Sequence, residues 1–330
     1  SQSASHVQPQ GDRMRYALRL IVPRLGFALI TLLAVSMIIF WAVEWLPGDT
    51  ATRILGQDAT PERVAVLRQQ LHLDIPPWAR YLRWLAGFAR GDWGESLTAK
   101  RPVADFVLAR LGNTLILSGL ALLLYVPLSL SVGIITAIFR RRWFATALSA
   151  LALAGTALPE FVTGILLIVV FAVALPWFPP LALIDRARSF PQLLHTLALP
   201  TVTLTIAMTA YAVRMMQSSL ITVLESEYVR MATLKGLSPA RVIVFHALPN
   251  ALGPALRVTV INVAWLVGGV VLVENVFNFP GIGQLLVDSI RLLDTPVIES
   301  IALLTASVYI AANLAADLVA GILNPRLQAG

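Results

Sequence analysis

Few side chains here could do chemistry, and several stand where ionisable groups are expensive. Glu44, Glu160, Glu274 and Asp317 fall within or at the edges of long apolar runs, and Asn313 stands four residues before Asp317. A carboxylate at the centre of a bilayer costs roughly 3 kcal/mol on insertion scales, so each is a candidate for lining a solute or ion pathway. Glu160 follows Pro159, where unwound backbone plus a carboxylate could line such a pathway, a buried structural pair being the other reading. Asn313 and Asp317 share one helical face; they fit a pathway, or more simply a polar contact between helices. Glu274 lies towards the outer end of its run, and Glu44 is near enough to an end to reach water.

Other chemistries lack their parts. With no cysteine there is no disulfide, thiolate zinc site, iron–sulfur cluster or cysteine nucleophile. His6, His72, His195 and His246 show no ligand spacing. No Gly-x-x-x-x-Gly-Lys-[Ser/Thr] occurs, and both lysines, Lys100 and Lys235, lie outside any such loop. No catalytic residue, metal site or bound cofactor is assigned.

The elements that position these groups are membrane spans. Apolar residues make up 57% of the 330 and charged residues 13%, about half the usual share. That balance excludes a soluble globular domain and a disordered chain. The net charge of +7 crowds between apolar runs, a membrane pattern rather than a nucleic-acid one. Six runs reach the ~20 residues a spanning helix needs: Leu25–Leu46, Thr114–Phe139, Phe144–Leu175, Leu193–Val213, Val258–Phe277 and Ile298–Leu323. The third is too long for one straight span, and Pro159 in its middle predicts a kink there or a helix projecting past the bilayer. Gly268-Gly269 in the fifth predicts close helix packing rather than a bend. Arg13, Arg15, Arg19 and Arg24, then Arg140–Arg142, then Arg214, Arg230, Lys235, Arg241 and Arg257, and finally Arg326 fall on one side if both termini are cytoplasmic. The nine basic residues of 47–113 would lie outside, on a segment too long for that rule.

The predicted fold is therefore a multi-pass all-α integral membrane protein with six transmembrane helices and cytoplasmic termini. Residues 1–13 read as a disordered tail, 14–46 as the first transmembrane region, 47–113 as an extracytoplasmic helical segment, and 114–323 as the core carrying helices 2–6. Residues 324–330 read as a cytoplasmic tail. In the outer segment Thr60 caps a helix that opens at Pro61, with Val64, Leu67 and Leu71 at helical spacing. A second amphipathic stretch carries Trp78, Tyr81, Trp84 and Phe88, either lying on the membrane surface or packing its own aromatics.

Between helices 4 and 5, the loop 218–254 contains the sharpest signal. Glu225 to Lys235 is predicted as one helix, ended by Gly236 in the left-handed conformation. Ser238 then caps a second helix from Pro239 to near Pro249. Small residues at Ala232, Thr233 and Gly236 would leave a surface that another protein could approach closely.

This segment resembles the EAA motif of the permease subunits of binding-protein-dependent ABC importers. With Gly236 aligned, Arg230 takes the Glu position, Met231 and Ala232 the alanines, His246 the Ile, and Leu248-Pro249 the end. The dipeptide/oligopeptide/nickel branch is more similar: Tyr228-Val229-Arg230, Ala232, then Lys235-Gly236-Leu237-Ser238, then His246-Ala247-Leu248 and Asn250-Ala251-Leu252. Pro47-Gly48-Asp49 resembles the branch's Pro-Gly-Asp-Pro, with Thr50 in place of the last Pro. Glu274, Val276, Phe277, Pro280, Gly281, Ile282 and Gly283 resemble its Glu-x-Val-Phe-x-x-Pro-Gly-[Leu/Ile]-Gly. Asn313-Leu314, Asp317-Leu318 and Pro325-Arg326 resemble its ending, with Asn324 where Asp is usual.

The resemblance implies a permease subunit of the first of two kinds, in a bacterial inner membrane, working beside a homologous second permease. Two ATPase subunits would carry ATP and Mg²⁺, an external solute-binding protein would deliver cargo, and lipid would surround the pair. Tyr228, Arg230, Ala232, Thr233, Lys235, Gly236, Leu237 and Ser238 would form the coupling helix seated on an ATPase. The rival reading is a secondary transporter coupling cargo to ions through Glu160 or Asp317. It leaves the Gly236 motif unexplained, and no internal repeat of the kind such carriers show is visible.

Overall fold

The structure, a computed structural model, describes residues 10–45, 60–70 and 74–323. The expected turn at Pro47-Gly48-Asp49, Leu71 and the 324–330 tail lie outside the described residues, as does the tail at its start up to residue 9. Among the described residues all regular structure is helical, apart from one isolated bridge between Glu95 and Pro102.

The helices in chain order are α1 (Gln10–Glu44), α2 (Pro61–Gln70), α3 (Pro77–Arg90), α4 (Val103–Ile138), α5 (Trp143–Ala157), α6 (Glu160–Leu167), α7 (Phe190–Leu224), α8 (Glu227–Leu234), α9 (Pro239–Val242), α10 (Leu248–Val276), α11 (Ile282–Leu292) and α12 (Thr295–Leu323). Among the described residues four helices, α1, α4, α7 and α12, are long and apolar enough to cross a membrane. Two bent pairs bring the number to six if each is one span. The helix α1 begins at Gln10, inside the stretch expected as a tail.

Pro159 does more than kink the third run. Leu158 and Pro159 are extended, and the axes on either side differ by 106°. The ring of a proline pushes the preceding residue out of the α region, which ends α5, while Pro159 itself opens α6. The α6 helix then widens into a π-helical turn over Ile168–Ala174. The second bend, 59°, separates Pro239–Val263 from Gly268–Val276. The bend therefore falls beside Gly268-Gly269; a Cβ on Gly268 would meet nothing within 4 Å, and one on Gly269 would sit 2.7 Å from its own helix's Trp265 ring. Close packing expected of that pair is not what the structure shows.

Residues 113 and 114 lie in the middle of α4, so the expected boundary between outer segment and core is not a break in structure. The helix α7 is the axis of the fold, burying Leu197, Leu204, Met208, Met216 and Leu220 against α4 and α10. At Gly133 of α4 an added Cβ would stand 2.6 Å from Met216 Cβ and 3.1 Å from the Val213 carbonyl. That close approach is the membrane mode of packing, in which small residues let backbones meet. Outward, α1, α4, α5 and α6 expose Phe27, Ile30, Leu123, Leu151 and Phe161, a surface stable in lipid and costly in water.

The aromatic stretch of 77–90 packs its own rings. Tyr81 and Trp84 pack against Phe40 of α1, and Phe88 continues the row from Trp84 to stack on Trp93 at 4.8 Å. Ser36 and Tyr81 share a 2.8 Å hydrogen bond, while Trp78 and Leu82 face away.

Candidate functional site

The coupling segment begins with a break rather than one continuous helix. The helix α7 runs on to Leu224, and Ser226 then caps α8 by accepting from Val229 N at 3.5 Å. This corrects the expected single helix from Glu225 to Lys235: a serine able to accept from the N3 amide restarts the helix two residues later. The helix ends as the sequence requires, with Gly236 at φ 79° and its N–H donating to Thr233 O at 3.0 Å. Pro239 follows at the first position of α9.

The second helix does not end near Pro249. A π-helical turn over Ile243–Ala247 leads straight into α10. Proline cannot donate to the carbonyl four residues back and its ring crowds that carbonyl; the wider turn before Pro249 accommodates both effects.

The helix α8 has two faces. Val229 and Ala232 are buried against Met216, Leu220, Val242, Ala247 and Ala251. Ala232 thus packs into this chain, so it belongs to no approach surface, contrary to the expectation for a small residue there. On the other side Tyr228, Met231 and Leu234 are exposed, Leu234 by 75%, together with Arg230 and Lys235. Thr233, Gly236 and Ser238 are also exposed and Leu237 is half-buried, while the Thr233 hydroxyl donates to Val229 O at 3.1 Å. Leu224, Glu225, Val229, Arg230, Thr233 and Leu234 line a cleft of about 340 Å³ beside it. Two contacts brace the segment: Arg140, after α4, pairs with Glu225 at 2.7 Å, and Tyr228 lies over the His246 ring at 5.8 Å.

The intramembrane candidates do not converge. Glu160 occupies the first position of α6, half-buried, and makes no hydrogen bond or ion pair among the described residues. Asn313 donates to Tyr309 O of its own helix at 3.1 Å. Asp317 lies in α12, and its side chain is outside the described residues.

Glu274 is fully buried in this structure, where it lines no open surface. Its main chain and its side chain do two jobs. As α10 ends, Phe279 N donates to Glu274 O at 2.8 Å and Asn278 takes the left-handed position, a Schellman closure. The Glu274 carboxylate meanwhile accepts from Gly283 N at 2.7 Å and Gln284 N at 3.2 Å, the free donors at the start of α11. The remaining donor, Ile282 N, goes to Thr114 Oγ1 at 2.9 Å, and that hydroxyl donates to Glu274 Oε1 at 2.6 Å. Asn113 Nδ2 adds a bond to Pro280 O at 2.9 Å. Gly281 is required for space, since a Cβ there would lie 2.0 Å from Glu274 Oε1.

Three clusters had no signal in the sequence. Asp294, 2% exposed, gathers Ser96, Leu97 and Thr98. Arg80 of α3 pairs with Glu44, with Glu299 of α12 close to both. Asn262 of α10 donates to Tyr125 OH at 2.7 Å and to Met208 O at 3.2 Å, joining α4, α7 and α10. Each joins residues too far apart in the chain for spacing to reveal.

Long apolar helices with two bent pairs, interrupted by a short two-faced helix that closes on a left-handed glycine, define an all-helical membrane protein. Residues 129–329 match the family of binding-protein-dependent transport system inner membrane components, and residues 17–118 match the N-terminal region of such components. The chain belongs to that family, the permease subunits of ABC importers of the peptide/nickel type, multi-pass in the bacterial inner membrane. It is 36% identical over 311 residues to the glutathione transport system permease protein GsiC of Escherichia coli (strain K12), covering 94% of this chain and 99% of that one. The GsiC protein of Shigella flexneri serotype 5b (strain 8401) is 35% identical over the same length. Among solved structures, an inward-facing form of the MetNI methionine ABC transporter aligns with TM-score 0.51 and 16% identity, over 66% of this chain and 96% of the other. That likeness is one of fold.

Proposed function

We propose that this permease forms half of an ATP-driven import pathway for short peptides of the glutathione class or a related small solute, such as nickel or a metal chelate. Six spans with both termini cytoplasmic would place α8 inside and residues 47–113 outside. The observation that carries the reading is α8 itself. A helix that buries Val229 and Ala232 while holding Tyr228, Met231 and Leu234 in the open is built to be seated in a partner's groove. ATP and Mg²⁺ would be held by two ATPase subunits, one under this chain and one under its sister permease. Cargo would arrive on an external binding protein, and this chain would bind no cofactor.

In that assembly the exposed face of α8, with Arg230, Lys235 and the Gly236 turn, receives the movement of the ATPase. A partner shifts a conformational equilibrium only through contacts that differ between states, and α8 is where those contacts form. The π-helical turn and α10 then carry the movement into the bundle. Glu160, without a partner among the described residues and set at the bend of α5–α6, is the best placed of the carboxylates to meet cargo.

The test is Gly236→Arg in the reconstituted complex. The variant inserts and assembles, yet ATP hydrolysis no longer rises when the loaded binding protein is added. Normal stimulation would refute the docking assignment, and uptake powered by an ion gradient alone would refute the ATP-driven reading altogether.

A further inference from the structure

Two buried carboxylates hold the two ends of α11. At its start Glu274 satisfies the Gly283 and Gln284 N–H groups and ties them, through Thr114, to α4. Just past its end, Asp294 accepts Ser96 Oγ at 2.5 Å, Thr98 Oγ1 at 2.7 Å, Leu97 N at 3.1 Å and Thr98 N at 3.2 Å. Glu274 and Asp294 are 0% and 2% exposed. Removing a carboxylate from water is tolerated only where donors replace it; beside the local amides of Gly283 and Gln284, Thr114 comes from 160 residues away in sequence and Ser96 from 198.

Between the two knots Val103 and Val107 of α4, Ile282 of α11, and Val297 and Ile301 of α12 form one apolar cluster. Asp294 N also donates to Ser289 O at 2.9 Å, closing α11 over Leu293 in the left-handed region. A hinge needs terminal residues free to change φ and ψ. Here the residues at both ends of α11 are bonded on main chain and side chain alike.

We propose that Glu274 and Asp294 are positioning residues for transport. They make α11, the start of α4 and the 96–98 turn one rigid strut at the end of α10. Movement entering α10 at the α8–α9 turn would then reach the 96–98 turn undiminished. This inference rests on the ATPase-docking reading above for the source of movement, though not for the rigidity of the strut.

The chain has no cysteine, so a labelled pair at the exposed Glu95 and Arg291 can be read without background. Spin labels at Glu95→Cys and Arg291→Cys should keep one distance, within about 2 Å, in the nucleotide-free and ATP-vanadate-trapped complexes. A state-dependent change beyond about 5 Å, the scale of a one-turn element shift, overturns the strut. In the same complex Asp294→Ala should retain basal ATP hydrolysis and lose at least tenfold of its stimulation by binding protein purified with its bound solute. Asp294→Asn, which keeps one acceptor oxygen, should fall between and stands in if the alanine variant does not assemble. Full stimulation in either variant, or a proportional fall of basal and stimulated rates, overturns the role. No stimulation in the unmodified complex would refute ATPase docking, with the label distance still deciding the strut.

Discussion

The Thr114 hydroxyl stands 2.6 Å from Glu274 Oε1 and 2.9 Å from Ile282 N, so one side chain of α4 completes the junction of α10 and α11. A threonine inside a membrane helix usually returns its proton to its own backbone, as Thr203 and Thr205 do here. Thr114 spends it on a carboxylate instead.

Thr114→Val keeps the shape and removes both bonds. It leaves a buried N–H and a carboxylate oxygen short of partners, at a cost of about 1–3 kcal/mol. The thermal midpoint of the purified protein in detergent should fall, while Thr114→Ser should stay near the parent.

Gly281→Ala should lower stability, because the new Cβ would push the Glu274 carboxylate off its donors. Gly119→Ala in α4 is the contrast, having nothing within 4 Å. Removing a helical glycine there should be neutral or stabilising by up to about 1 kcal/mol. Yield and thermal midpoint of the two variants check this.

On α8 exposure separates two kinds of variant. Met231→Asp and Leu234→Asp alter exposed positions and should leave thermal stability within about 0.5 kcal/mol. They should nevertheless abolish stimulated ATP hydrolysis. Ala232→Leu overfills the packed side and should destabilise by about 1–3 kcal/mol.

Glu160→Gln should leave assembly and stability unchanged, since the carboxylate makes no bond among the described residues. Uptake or cargo preference should change. Uptake measured in vesicles against several short peptides decides it, with unchanged rates removing Glu160 from the pathway.

Arg80 serves two carboxylates, Glu44 directly and Glu299 by proximity. Arg80→Gln should lower the thermal midpoint by leaving two neighbouring carboxyl groups without their shared cation. Adding Glu299→Gln should restore about 1 kcal/mol or more, a coupling within the usual range for neighbours. Additive losses would show that Glu299 does not belong to the cluster.

Much of the fold was legible because its signals are local. Span length follows from the thickness of hydrocarbon, Pro159 had to interrupt its run, and Gly236 had to end α8. Where reasoning failed, a local rule met a longer-range alternative. Pro249 did not stop a helix because a π-helical turn absorbed it, and Glu225 did not begin α8 because Ser226 offered a better cap.

Glu274 carries the sharpest contrast. A carboxylate in an apolar run reads as a pathway group, since the run says only that it is costly. Which donors repay that cost depends on how α4, α10 and α11 meet, and the Pro-Gly-Ile-Gly spacing shows its purpose only beside Thr114.

By itself the sequence determined the membrane class, the candidate spans and the two-helix turn at Gly236, since hydropathy, proline and glycine act within a few residues. Tertiary structure alone decided which polar groups are joints: Glu274 with Thr114, Asp294 with Ser96 and Thr98, Arg80 with Glu44. A buried charge is settled by donors in space, and those donors come from elements far apart along the chain.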